Sequence, residues 1–116
     1  MSLIGSERFP KTARLRKRGQ FLDVSRTGRK FQSVNFVVIR KSNQNLESRL
    51  GVTVSAKVGN AVVRNRIKRQ VREFFRRHRA DIAKASDFLV VARSSAASLS
   101  SGEIARELDR ALLPNR

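Results

Sequence analysis

The side chains best suited to chemistry lie in one run, Arg64 to Arg79. It holds eight Arg and Lys residues, Asn65 and a single acid, Glu73. A solvated surface helix normally interleaves Glu with Lys, because opposite charges four residues apart support one another. Lys68, Arg72 and Arg76 instead stand four apart with like sign, which is unfavourable until an anion covers them. These residues offer binding to phosphate rather than bond breaking. A protein nuclease would need carboxylates clustered around a metal, or a histidine-based acid and base. His78 is the sole histidine, and its place between Arg77 and Arg79 near a predicted helix end suits a capping or surface role. The acids are scattered. Gly59-Asn60 is too short to be a glycine-rich phosphate loop.

Composition supports the same reading. The chain has 116 residues, 26 basic and 9 acidic, for a formal net charge of +17. Residues 1–79 carry the whole excess, whereas residues 80–116 balance five basic against five acidic side chains. A merely soluble surface mixes both signs at a net charge of about 2–8. A polyanion partner is therefore expected, with counterion release driving association. The absence of cysteine excludes disulfides and thiolate metal sites. No apolar run approaches the roughly 20 residues that cross a bilayer, and the opening MSLIGSERF lacks the apolar stretch of a secretory signal. The expectation is a cytoplasmic protein with no membrane partner and no small-molecule substrate.

One domain of this length must position those cations. Residues 1–18 read as an extended arm, of which 1–12 are expected to be flexible, with Pro10 disfavouring a helix at Phe9. Gly19 to Arg26 reads as a short helix stopped at Gly28. Phe31 to Arg40 alternates, with Val34, Phe36 and Val38 on one face and Asn35, Val37 and Ile39 on the other, which predicts one strand. Polar Lys41–Arg49 is expected to be a hairpin loop. It leads to a second strand whose inward face is Leu50, Val52 and Val54. The period then changes from two to 3.6. Asn60 suits an N-cap, and Val63, Ile67, Val71, Phe74 and Phe75 share one helical face to about Arg79. Asn65, Lys68, Arg69, Arg72, Arg76 and Arg79 occupy an arc of roughly 100° away from it. The helix N-terminus adds backbone donors and a positive dipole end beside Arg64. Phe88-Leu89-Val90-Val91-Ala92 predicts a buried strand, and Glu103 to Leu113 a helix striped by Ile104, Leu108 and Leu112 and ended by Pro114. Phe36, Phe74, Phe75 and Phe88 are expected in the core. The order α-β-β-α-β-α predicts an α+β two-layer sandwich with one mixed sheet. The first two strands are antiparallel, and the last is parallel to one of them.

Val58-Gly59-Asn60-Ala61-Val62-Val63-Arg64-Asn65-Arg66-Ile67-Lys68-Arg69-Gln70-Val71-Arg72 resembles the signature of the ribonuclease P protein subunit, with its central Arg-Asn-Arg. The resemblance extends to Phe21-Leu22-Asp23-Val24, Gly28, Phe36-Val37, Arg49-Leu50-Gly51-Val52 and Val90-Val91-Ala92-Arg93, covering about residues 8–113. It implies the same order of elements, a left-handed crossover around the signature helix, and a fold like the second domain of a small-subunit ribosomal protein. It further implies two RNA surfaces. Arg64, Asn65, Arg66, Lys68, Arg69 and Arg72, with Lys57 nearby, would contact a catalytic RNA. A cleft between the first helix and the sheet would take the single-stranded 5′ leader of precursor tRNA. In this family the RNA subunit holds Mg²⁺ and performs the hydrolysis that generates the mature tRNA 5′ end. No cofactor is expected on the protein alone.

A leader groove needs stacking platforms and cations. Phe21 matches a family position in that cleft, and Arg93 is a candidate phosphate contact. Ser25 and Ile39 stand where the family often has aromatics, and each missing platform is worth ~1–3 kcal/mol of stacking. Phe31 offers a compensating ring or, equally, a core or rim residue. Three rival readings remain. A ribosomal or general RNA-binding protein accounts for the charge but not the contiguous signature. A DNA-reading helix would use Asn65 with Arg66. A self-sufficient nuclease lacks an acid–base set.

Overall fold

The computed structural model describes residues 14–43, 47–82 and 85–113; the expected flexible arm, residues 1–12, and Pro114 lie outside them. The elements run α1 (Arg18–Thr27), β1 (Arg29–Gln32), β2 (Phe36–Ser42), β3 (Arg49–Thr53), α2 (Ala61–Arg77), β4 (Ser86–Ala92), a short 3₁₀ helix (Ser94–Ser98) and α3 (Ser101–Leu112). The α+β class and the single mixed sheet are as expected. Two details differ. Phe31–Arg40 is not one strand but a hairpin, because Ser33–Asn35 turns the chain and leaves Val34 78% exposed. The segment after β2 is also not a hairpin to β3. The sheet order is β1-β2-β4-β3, so β4 inserts between them, antiparallel to β2 and parallel to β3. Alternation alone records which face a residue takes, not which strand lies beside it.

One sheet face carries the main core. Phe36, Val38, Leu50, Val52, Phe88 and Val90 meet Ile67, Val71, Phe74 and Phe75 of α2 and Ile104, Leu108 and Leu112 of α3. All four phenylalanines expected in the core are 5% exposed or less. Emptying the space of a ring such as Phe75 would cost about 3–5 kcal/mol. The buried carboxylate of Asp87 locks the β3–β4 register, accepting from Arg49 Nε at 2.8 Å and Nη2 at 2.7 Å.

The other face is only partly covered. There Leu15 and Val24 pack on Ile39 and Leu89, leaving Phe21, Val37 and Val91 half-buried around them. Helix α1 begins where the Gln20 side chain accepts from the backbone N–H groups of Arg16 and Lys17. It ends at Gly28, whose N–H donates to Val24 O at 2.8 Å. Gly28 has an ordinary extended φ of −77°, so its requirement is space. A Cβ there would lie 2.5 Å from Val24 O and 2.6 Å from Ile39 Cγ2. An ion pair between Asp23 and Lys41 ties α1 to β2.

Candidate nucleic-acid interface

Helix α2 starts as its sequence implies: Asn60 is extended, and its side chain accepts from Val63 N at 3.0 Å. The buried stripe Ile67, Val71, Phe74 and Phe75 fixes the roll of the helix. That roll sends Asn65, Lys68, Arg69, Arg72 and Arg76 outward together. With Glu73 and Arg14 they line an open groove of about 430 Å³. Arg14 is a functional candidate that the sequence reading missed. It arrives because the arm runs beside β3, where Arg14 bridges Leu50 in parallel fashion and Leu15 N donates to Leu50 O at 2.9 Å. The available signal was Leu15, one apolar residue between basic neighbours, which marks an edge-strand anchor.

The charges in this groove are crowded. Burial, and then the nearby charge of Arg14, lower the pKa of Arg72 from its ordinary value. Glu73 is engaged by Arg76, whose Nε and Nη2 reach it at 2.9 and 2.7 Å, and by Arg77 Nε at 3.0 Å. The Arg76 hydrogen bond, opposed by slight burial and aided by Arg77, holds the Glu73 carboxyl at about 2. Arg79 turns to Glu47 at 3.4 Å. The lone acid of the helix is thus committed to Arg76 and Arg77.

The other expected RNA contacts are less uniform. Lys57 is exposed in the turn before Asn60. Arg64 is half-buried, with its Nε lacking a hydrogen-bond partner. The guanidinium of Arg66 donates from Nη1 to Leu99 O and from Nη2 to Ala97 O, both at 2.9 Å. His78 caps α2, stacked on Phe74 with ring centroids 4.1 Å apart and Nδ1 2.9 Å from Phe74 O. Among the described residues no three His, Asp or Glu side chains come together as a metal site.

The second surface is the open sheet face beside α1. Strand register places Lys30, Ile39, Leu89 and Gly51 in one row across the sheet, and Gln32, Val37, Val91 and Thr53 in the next. Phe21 rests over Gly51, where a Cβ would meet its Cε1 at 2.8 Å. The missing side chain of Gly51 therefore makes the seat for this ring. Ser25 is half-buried one turn along α1. Ile39 shares the Phe21 cluster but is only 3% exposed, so it is floor rather than platform. Arg93 follows β4 at the surface. Its N–H donates to Asn35 O at 2.9 Å, and its Nη1 approaches Ser33 O at 3.4 Å. Phe31 does not compensate for the missing aromatics. It pairs with Val38 on the opposite face, 41% exposed at the rim, with Arg29 5.6 Å from its ring centroid.

A family model described as Ribonuclease P matches residues 9–114. The ribonuclease P protein component of Desulforapulum autotrophicum is 46% identical over 107 residues, covering 92% of each chain. Among solved structures, a Staphylococcus aureus RNase P protein mutant superposes with a TM-score of 0.84 at 34% identity, covering 95% of this chain and 93% of that one. The RNase P protein of Thermotoga maritima gives 0.81 at 34% identity, over 89% and 97% respectively. Matching in sequence, in the signature on α2 and in fold across nearly its whole length, the chain belongs to the bacterial ribonuclease P protein family.

Proposed function

We propose that this chain binds the catalytic RNA of ribonuclease P through the outer face of α2 and holds the 5′ leader of precursor tRNA on the open sheet face. It thereby supports endonucleolytic removal of the leader in the cytoplasm. The observation that carries the reading is the groove of Arg14, Lys68, Arg69, Arg72 and Arg76, whose only acid among the described residues is already engaged by arginines. Such a surface lowers its own repulsion when phosphates enter and release their counterions.

The hydrolysis belongs to the RNA partner. Among the described residues no three His, Asp or Glu side chains gather, and His78 is tied to the Phe74 carbonyl at a helix end. This chain's part is electrostatic and positional. Its cations reduce repulsion within a folded RNA, so less magnesium is needed for assembly. Phe21 and Arg93 then place the leader by stacking and by charge. A general RNA-binding protein would share the charge but not the seat of Phe21 on Gly51 beside the open sheet face.

The test is reconstitution. Purified protein added to a bacterial ribonuclease P RNA at low magnesium should stimulate cleavage of precursor tRNA at the mature 5′ end. Absence of stimulation, while an authentic subunit stimulates the same RNA, would contradict the proposal.

A further inference from the structure

Arg66 sits in the middle of the signature yet is bonded differently from its neighbours. Asn65, Lys68, Arg69 and Arg72 line the groove, whereas both terminal nitrogens of Arg66 donate to backbone carbonyls of Ala97 and Leu99. These carbonyls close the 3₁₀ helix that begins just after Arg93. A continuous series of hydrogen bonds leads back from them. Leu99 N donates to Ala96 O at 3.2 Å, and Ala96 N donates to Arg93 O at 2.9 Å. Ala96 is wholly buried, so this path lies against the core. On its far side Arg93 donates to Asn35 O, and Asn35 is held by Glu107 through its backbone N–H and its side-chain amide, both at 2.7 Å.

We infer that Arg66 is a positioning residue: its fork on Ala97 and Leu99 sets Arg93 relative to α2, and Arg66 makes no RNA contact itself. This rests on the reading that α2 meets the catalytic RNA and Arg93 meets the leader. A planar guanidinium with two parallel N–H donors suits two neighbouring carbonyls. Lysine keeps the charge but has no such fork, and glutamine reaches one carbonyl without charge. The two substitutions therefore separate geometry from electrostatics. The clamp joins the helix that binds one RNA to the strand end that binds the other, making the two surfaces a single rigid body.

The experiment uses holoenzyme reconstituted with a ribonuclease P RNA. It compares Arg66→Lys, Arg66→Gln, Arg69→Ala, Arg93→Ala and the double variant Arg66→Gln/Arg93→Ala, each confirmed folded by circular dichroism. Two quantities are read: the salt dependence of RNA affinity, and the preference for leader-bearing precursor over leaderless tRNA. The inference predicts that both Arg66 variants lose several-fold in leader preference, with the salt slope unchanged. It also predicts that the double variant does no worse than Arg93→Ala. If Arg66→Gln does not fold, Arg66→Lys alone carries the comparison. Wild-type behaviour of Arg66→Lys, with a flattened slope for Arg66→Gln, would make Arg66 a phosphate contact and overturn the inference. Unchanged leader preference in folded Arg66 variants would overturn it equally, leaving only a structural brace. An unchanged slope for Arg69→Ala would instead remove α2 from the RNA interface, whatever the Arg66 variants do. An unchanged leader preference for Arg93→Ala would overturn the assignment of Arg93 and this inference with it.

Discussion

Phe21 shows how its surroundings fit a single side chain for the leader-stacking role proposed for it. Its ring lies over the bare backbone of Gly51, half-buried, with Val37 and Val91 beside it. With Ile39 sunk into the cluster and Phe31 on the other face, this ring would be the principal stacking surface that the described residues offer in the proposed leader cleft. Phe21→Ala should therefore cost ~1–3 kcal/mol of leader-dependent affinity and spare leaderless tRNA. Equal losses on both substrates in a binding titration would refute the stacking role. Glu107 illustrates the opposite case, a charge used for structure. Burial alone would raise its carboxyl. Donors on Ser33, Asn35 and the Phe36 backbone outweigh that and bring the pKa below the ordinary 4.5. A depressed carboxylate contributes stability that is present above its unfolded pKa and lost as pH falls through its folded one. Stability should thus decline on acidification below about pH 4.5. Glu107→Gln should cost about 1.5–3 kcal/mol at neutral pH and weaken that acid dependence, as measured by urea unfolding across pH.

At the scale of elements, helix α2 was legible in the sequence almost to the residue. Its period of 3.6, its Asn60 cap and its one-sided cations all act locally, and local signals survive without knowledge of the fold. Asn60→Ala should cost about 1 kcal/mol of stability without changing the affinity for a ribonuclease P RNA that the proposal assigns to the outer face of α2. A thermal melt beside an RNA titration separates the two effects. The sheet was less legible. Alternation in Phe31–Arg40 gave the correct faces for Phe36, Val38, Val37 and Ile39 but concealed the turn at Ser33–Asn35. That turn is stabilised from α3, some seventy positions away, through Glu107. Nor does any local pattern reveal that β4 enters between β2 and β3. In the site itself, the sequence marked the arc Asn65, Lys68, Arg69, Arg72 and Arg76. It missed Arg14, brought there by a contact with β3, and counted Arg79 with the arc although the fold turns it to Glu47. Arg66, which the resemblance alone assigned to RNA, has backbone carbonyls as partners.

The whole molecule separates its charge from its core. Apolar side chains of α2 and α3 close one sheet face, and the arm with α1 covers part of the other. The cations are left along the outer side of α2 and around the open face. A formal net charge of +17 on 116 residues works against the compact state by self-repulsion and favours any polyanion that fits. The central claim is that the α2 groove is where the catalytic RNA is bound. Its most direct test is the salt dependence of affinity for a ribonuclease P RNA, measured for the wild type and for a variant with Lys68, Arg69 and Arg72 all changed to Ala. Removing three phosphate contacts should weaken binding and flatten the slope of log K against log salt by roughly 2–3. A folded variant with the wild-type slope and affinity would contradict the account.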